Sequence, residues 1–80
     1  MDKCIKFKSF ARILTSFGVS VSDGKGSEKK LFDPRTRKIS CVKHHGANPE
    51  VARQVVASVR RKFELDSEHG VSDEDFYGRA

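Results

Sequence analysis

An 80-residue chain that is 36% hydrophobic and 34% charged makes one small domain with a modest core, and it is too apolar for a disordered segment. No apolar run approaches the length of a membrane span, and the opening MDKCIKFK has no signal-peptide stretch, so a cytoplasmic protein without a membrane partner is expected. Cys4 and Cys41 are the only thiols, and their isolation argues against both a zinc ribbon and a disulfide framework.

The formal net charge is +5, but it is unevenly spread. Residues 1–63 hold fifteen Lys/Arg against five Asp/Glu, whereas residues 64–80 hold one Arg and six acids. A body this basic attracts polyanions, of which nucleic acid is the commonest in a cytoplasm. The alternative is a charged surface that serves solubility alone.

Taken in order, the apolar residues Phe7, Phe10, Ala11, Leu14 and Phe17 follow the spacing of one helical face. Lys6, Lys8, Ser9, Arg12 and Ser16 fill the other side, and Gly18 is a natural stop. Val19 to Ser22 alternates as a strand does, and Asp23-Gly24 with Gly26 marks a hairpin. Lys29 to Phe32 forms a second strand, Asp33-Pro34-Arg35-Thr36 a turn, and Lys38 to Lys43 a third strand with Ile39 and Cys41 on one face. Cys41 there reads as a small buried hydrophobe. Short turns between consecutive strands predict an antiparallel meander.

Asn48-Pro49-Glu50 then reads as a helix opening, with Asn48 as N-cap and Pro49 in the first turn. Val51, Val55, Val59 and Phe63 repeat on one face, with Val56 beside them, and Arg53, Arg60, Arg61 and Lys62 fall largely outward or near its end. This helix is expected to fade between Leu65 and Glu68. Ser72 followed by Asp75 is a weak capping box for a short terminal helix carrying Phe76.

The fold class is therefore α+β, a single domain over residues 1–80 with its core in 5–65 and an acidic segment at 66–80. Two helices on one face of a three-stranded antiparallel sheet, with a short C-terminal helix, bury each other and leave the other sheet face free and polar. This α-β-β-β-α order is that of double-stranded-RNA-binding domains, which read shape and backbone on A-form RNA.

Several stretches resemble the HicA-type (YcfA-like) toxins, partners of HicB antitoxins. They are Phe17-Gly18-Val19, Lys25-Gly26-Ser27-Glu28, the basic strand Lys29-Lys30-Leu31-Phe32, Cys41-Val42-Lys43-His44-His45-Gly46 and the closing run Gly70 to Phe76. The resemblance implies a fold like that of double-stranded-RNA-binding domains and an mRNA-cleaving endoribonuclease that needs no metal or cofactor. It also implies a HicB-like antitoxin as protein partner. In that family the catalytic His directly follows Gly-Ser, and Glu28 stands in that place here. Glu64 to His69 lengthens the link to the closing motif.

Metal-independent RNA cleavage needs a base for the 2′-OH, an acid for the leaving oxygen and cations for the phosphate. Glu28 is the candidate base and His44 or His45 the candidate acid. Lys25, Lys29, Lys30, Arg35, Arg37, Lys38 and Lys43 are candidate RNA-binding residues, although strand alternation forbids all of them from facing one way. A non-catalytic RNA-binding module and a domain for a protein partner are the alternatives. Adjacent histidines with no paired acids or thiols nearby in sequence do not suit zinc, and Gly24-Lys25-Gly26-Ser27 lacks the spacing of a nucleotide-binding loop and the helix that should follow.

Overall fold

The computed structural model describes all 80 residues. In chain order these form β1 (Ile5–Lys6), α1 (Phe7–Ser16), β2 (Ser20–Asp23), β3 (Glu28–Asp33), β4 (Lys38–Lys43), β5 (Glu50–Val51) and α2 (Arg53–Lys62). A 3-10 turn over Ser67–His69 and α3 (Asp73–Gly78) complete the chain. The antiparallel meander β2-β3-β4 is the main sheet, and the two-residue strands β1 and β5 pair separately. The protein is thus α+β, as the periodicities require.

The core forms where α1 and α2 cover the sheet. Phe7, Phe10, Ile13 and Leu14 of α1 meet Val56 and Val59 of α2, Leu31 and Val42 of the sheet, and Phe63, Leu65 and Phe76 beyond. Gly18 ends α1 at φ +89, and the amides of Gly18 and Val19 close back on the carbonyls of Thr15 and Leu14, both at 3.0 Å. That double closure needs a residue in the left-handed region, which glycine enters without steric cost. The same closure ends α2: Glu64 and Leu65 donate to Arg61 and Arg60 carbonyls at 3.2 and 2.7 Å. There the left-handed residue is Glu64, at φ 58. Hence α2 stops at Lys62 rather than fading past Leu65.

Three other expectations are corrected. Asn48-Pro49-Glu50 does not open α2, whose N-cap is Ala52. Glu50 and Val51 instead pair with Lys6 and Ile5, the Pro49 carbonyl accepts from Phe7 N at 2.7 Å, and Asn48 Oδ1 accepts from Lys8 N at 3.0 Å. Asn48 caps a helix, but it is α1.

Ile39 and Cys41 share a face as expected, but it is the solvent face; Ile39 is 45% exposed and Cys41 is exposed. The cause lies in the β3–β4 turn. Asp33 is fully buried and accepts from Arg35 N, Arg35 Nη2 and Thr36 Oγ1 at 3.0, 3.1 and 3.3 Å. Its inward orientation puts Leu31 inward on β3, and the Asp33–Lys38 register then puts Ser40 and Val42 inward on β4. The outer face is consequently not purely polar, since Phe32 and Ile39 sit on it as cross-strand partners.

Finally, Arg60 is only 2% exposed rather than outward. Its guanidinium donates to the Leu65 carbonyl at 2.8 Å, the Val71 carbonyl at 3.2 Å, and Asp2 and Asp73 carboxylates at 2.7 Å each. It lies 4.5 Å over the Phe76 ring, so one side chain ties α2 to both chain ends. Tyr77 joins this cluster through its hydroxyl on Asp2 at 2.8 Å, and burial pushes its phenol up to about 12.

Candidate nucleic-acid interface

One end of the main sheet gathers the β2–β3 hairpin, the exit of β4 and the start of α1. Gly24 N bonds the Glu28 carbonyl at 2.9 Å and Glu28 N the Lys25 carbonyl at 3.1 Å, which folds residues 24–27 into a closed loop. Gly26 takes φ +61 there, the left-handed conformation that the loop needs. His44 N donates to the Ser27 carbonyl at 2.6 Å, so the β4 exit is stitched to the hairpin.

Alternation divides the candidate residues between faces. Glu28 pairs with Lys43 and Lys30 with Cys41, so Glu28, Lys30 and Lys43 share the outer face. Lys29 faces inward, its ammonium ion-paired with Asp23, the residue opposite it on β2. That hydrogen bond and charge hold the Asp23 carboxyl below its ordinary value. The His44 ring is half-buried and meets the Phe7 ring edge-on at 4.6 Å between centroids. His45 is exposed next to Lys43 at the mouth of a groove beside β4. Glu28, at the start of β3, and His44, just past the end of β4, therefore project to opposite faces of the sheet.

Lys25, on the loop, and Lys30 and Lys43, on the outer face, are exposed and engaged in no ion pair. They surround Glu28 with cations, an arrangement that can hold a phosphodiester beside a carboxylate. The other basic candidates stand elsewhere. Arg35 and Arg37 occupy the β3–β4 turn, roughly 17 Å away along β3 at ~3.4 Å per residue. Arg35 also bonds the Phe63 carbonyl at 2.9 Å and so braces the end of α2. Arg37 is exposed and adopts φ 59. Lys38, next to it, is exposed at the start of β4.

Sequence reasoning missed the apolar part of this face, where Phe32, Ile39 and Cys41 lie between the two basic ends. The signal was present in the alternation of β3, where Leu31 and Phe32 cannot both point inward. No cluster of His, Cys, Asp or Glu suited to a metal ion is present, and no helix is long and apolar enough to cross a membrane. Compared with protein-family models, curated proteins and solved structures, the chain has no match.

Proposed function

We propose that this is an RNA-binding protein of the HicA type, an mRNA interferase or a diverged relative of one, acting in the cytoplasm and restrained by a HicB-like antitoxin. The observation that carries the reading is the hairpin end of the sheet. There the Lys25-Gly26-Ser27-Glu28 loop is bonded to the His44 backbone and flanked by the unpaired cations Lys25, Lys30 and Lys43. Backbone-directed cations on a sheet face suit shape-based recognition of RNA without base reading.

In this reading Glu28 takes the 2′-OH proton and Lys43, opposite it in the ladder, meets the phosphate charge. His45, exposed beyond Lys43, protonates the leaving oxygen, whereas His44 packs against Phe7 on the other face. The test is cleavage of a long single-stranded RNA with EDTA present, using wild type, Glu28→Ala, His44→Ala and His45→Ala, each checked for folding. Cleavage abolished by Glu28→Ala and by His45→Ala supports the nuclease. Salt-sensitive RNA binding without cleavage supports the diverged relative, and the absence of both refutes an RNA role.

A further inference from the structure

The main sheet leaves β4 as an edge, paired only with β3. The bond from His44 N to the Ser27 carbonyl sets the phase of that ladder, so residues 38, 40 and 42 turn their backbone groups toward β3. Ile39, Cys41 and Lys43 therefore aim N–H and C=O away from the sheet, and none of these groups has a partner in the fold. An edge with three consecutive outward donor–acceptor pairs is a template for a further strand.

The surroundings of this edge are apolar on both sides. On the helix side runs a groove of about 440 Å³ whose walls include Val42, Pro49, Val51 and Val55, the last 37% exposed. On the outer side lie Ile39 and Cys41, with Phe32 behind them. A strand laid along β4 would thus bury alternate side chains in the groove and the others against Ile39 and Cys41.

Charge selects the occupant. Arg37 and Lys38 flank one end of the edge, and Lys43 and His45 the other. The one acid in the groove wall, Glu50, has Lys6 opposite it in the β1–β5 pair. A second copy paired antiparallel through β4 would bring Arg37 and Lys38 of each chain beside Lys43 and His45 of the other, on a chain already at +5. We infer that the β4 edge and its groove dock an extended peptide segment of a protein partner, apolar in its middle and acidic at both ends, by strand addition. This stands on the edge and groove, independently of any RNA activity.

The probe is a synthetic peptide of alternating Val and Thr with Glu-Asp at each end, alongside the same peptide with Lys-Lys ends. Binding is read by fluorescence anisotropy and by hydrogen exchange of the Ile39, Cys41 and Lys43 amides. The acid-ended peptide should bind, protect those three amides and weaken as salt rises, while the lysine-ended one should not bind. Val55→Glu changes an exposed helix position and should weaken binding roughly tenfold or more by placing a carboxylate in the groove. Cys41→Pro removes the central outward N–H, which an edge strand tolerates, and should do the same. The inference is overturned by no binding of the acid-ended peptide, or by binding that leaves the three amides unprotected or Val55→Glu unaffected. Dimerisation of the free protein through β4, or protection of the same amides by RNA, also overturns it.

Discussion

Replacing Arg60 with Met keeps an unbranched apolar stem but removes the guanidinium and with it every donor. Two main-chain carbonyls, of Leu65 and Val71, lose a charged partner at about 1.5 kcal/mol each. The stacking of the guanidinium on Phe76 adds roughly another 1 kcal/mol. The carboxylates contribute less, because the side chains of Asp2 and Asp73 are 25% and 40% exposed and rehydrate once released. Against this, Met removes the cost of burying a cation, so the net loss should be about 2–3 kcal/mol. A domain of this size holds roughly 4–12 kcal/mol in all, so the loss is easily measured. Urea unfolding followed by far-UV circular dichroism should show a midpoint lowered by about 2–3 M, at a slope near 1 kcal/mol/M. A variant within 0.5 kcal/mol of wild type, an order-of-magnitude bound, would refute the reasoning: the desolvation cost would then cancel the bonds.

Four further outcomes are expected. Lys30→Glu, on the outer face, should weaken RNA binding and reduce the log–log salt slope by about 0.7 per lost phosphate contact, as read by filter binding. Lys29→Glu should instead destabilise the hairpin by setting a carboxylate opposite Asp23; a larger RNA effect from Lys29 with unchanged stability would place RNA on the inner face. Glu64→Gly should stabilise the fold by about 1 kcal/mol in the same urea assay, since it relieves a left-handed non-glycine residue at the end of α2. The His69 imidazole lies 2.5 Å from Asp66, whose hydrogen bond raises the imidazole above its ordinary 6.5, while Asp66 is itself held below 3.8. The His69 contribution is therefore complete below 6.5 and lost as pH rises through the raised value; that of Asp66 is present above 3.8 and lost as pH falls through the lowered one. An NMR titration should show His69 moving back toward 6.5 in Asp66→Asn, and no movement would refute the pairing.

How far the sequence carried depended on whether a local pattern had a competitor. Phe7, Phe10 and Leu14 offer one apolar stripe and Gly18 one stop, so α1 was legible within a residue or two. The alternation and turns of residues 19–43 likewise determined a meander, and Ser72 capping Asp75 N at 3.1 Å was visible in the terminal run. The basic loop was legible too, because Lys25 on a tight turn and Lys30 and Lys43 on the outer strand face project into solvent.

What only the tertiary structure decided was each choice between two locally acceptable answers. On β4, Ile39 with Cys41 and Val42 with Ser40 were rival inner faces, and the buried Asp33 turn chose the second. Asn48 and Pro49 carry a helix-start signal, but β1 recruits the following residues as a strand and hands the cap to α1. Arg60 reads as a surface cation until Asp2, Asp73 and two carbonyls converge on it from segments 58, 13, 5 and 11 residues away. The last two outcomes depend on contacts between segments that periodicity treats separately, and the first on a turn whose buried carboxylate no periodicity reveals.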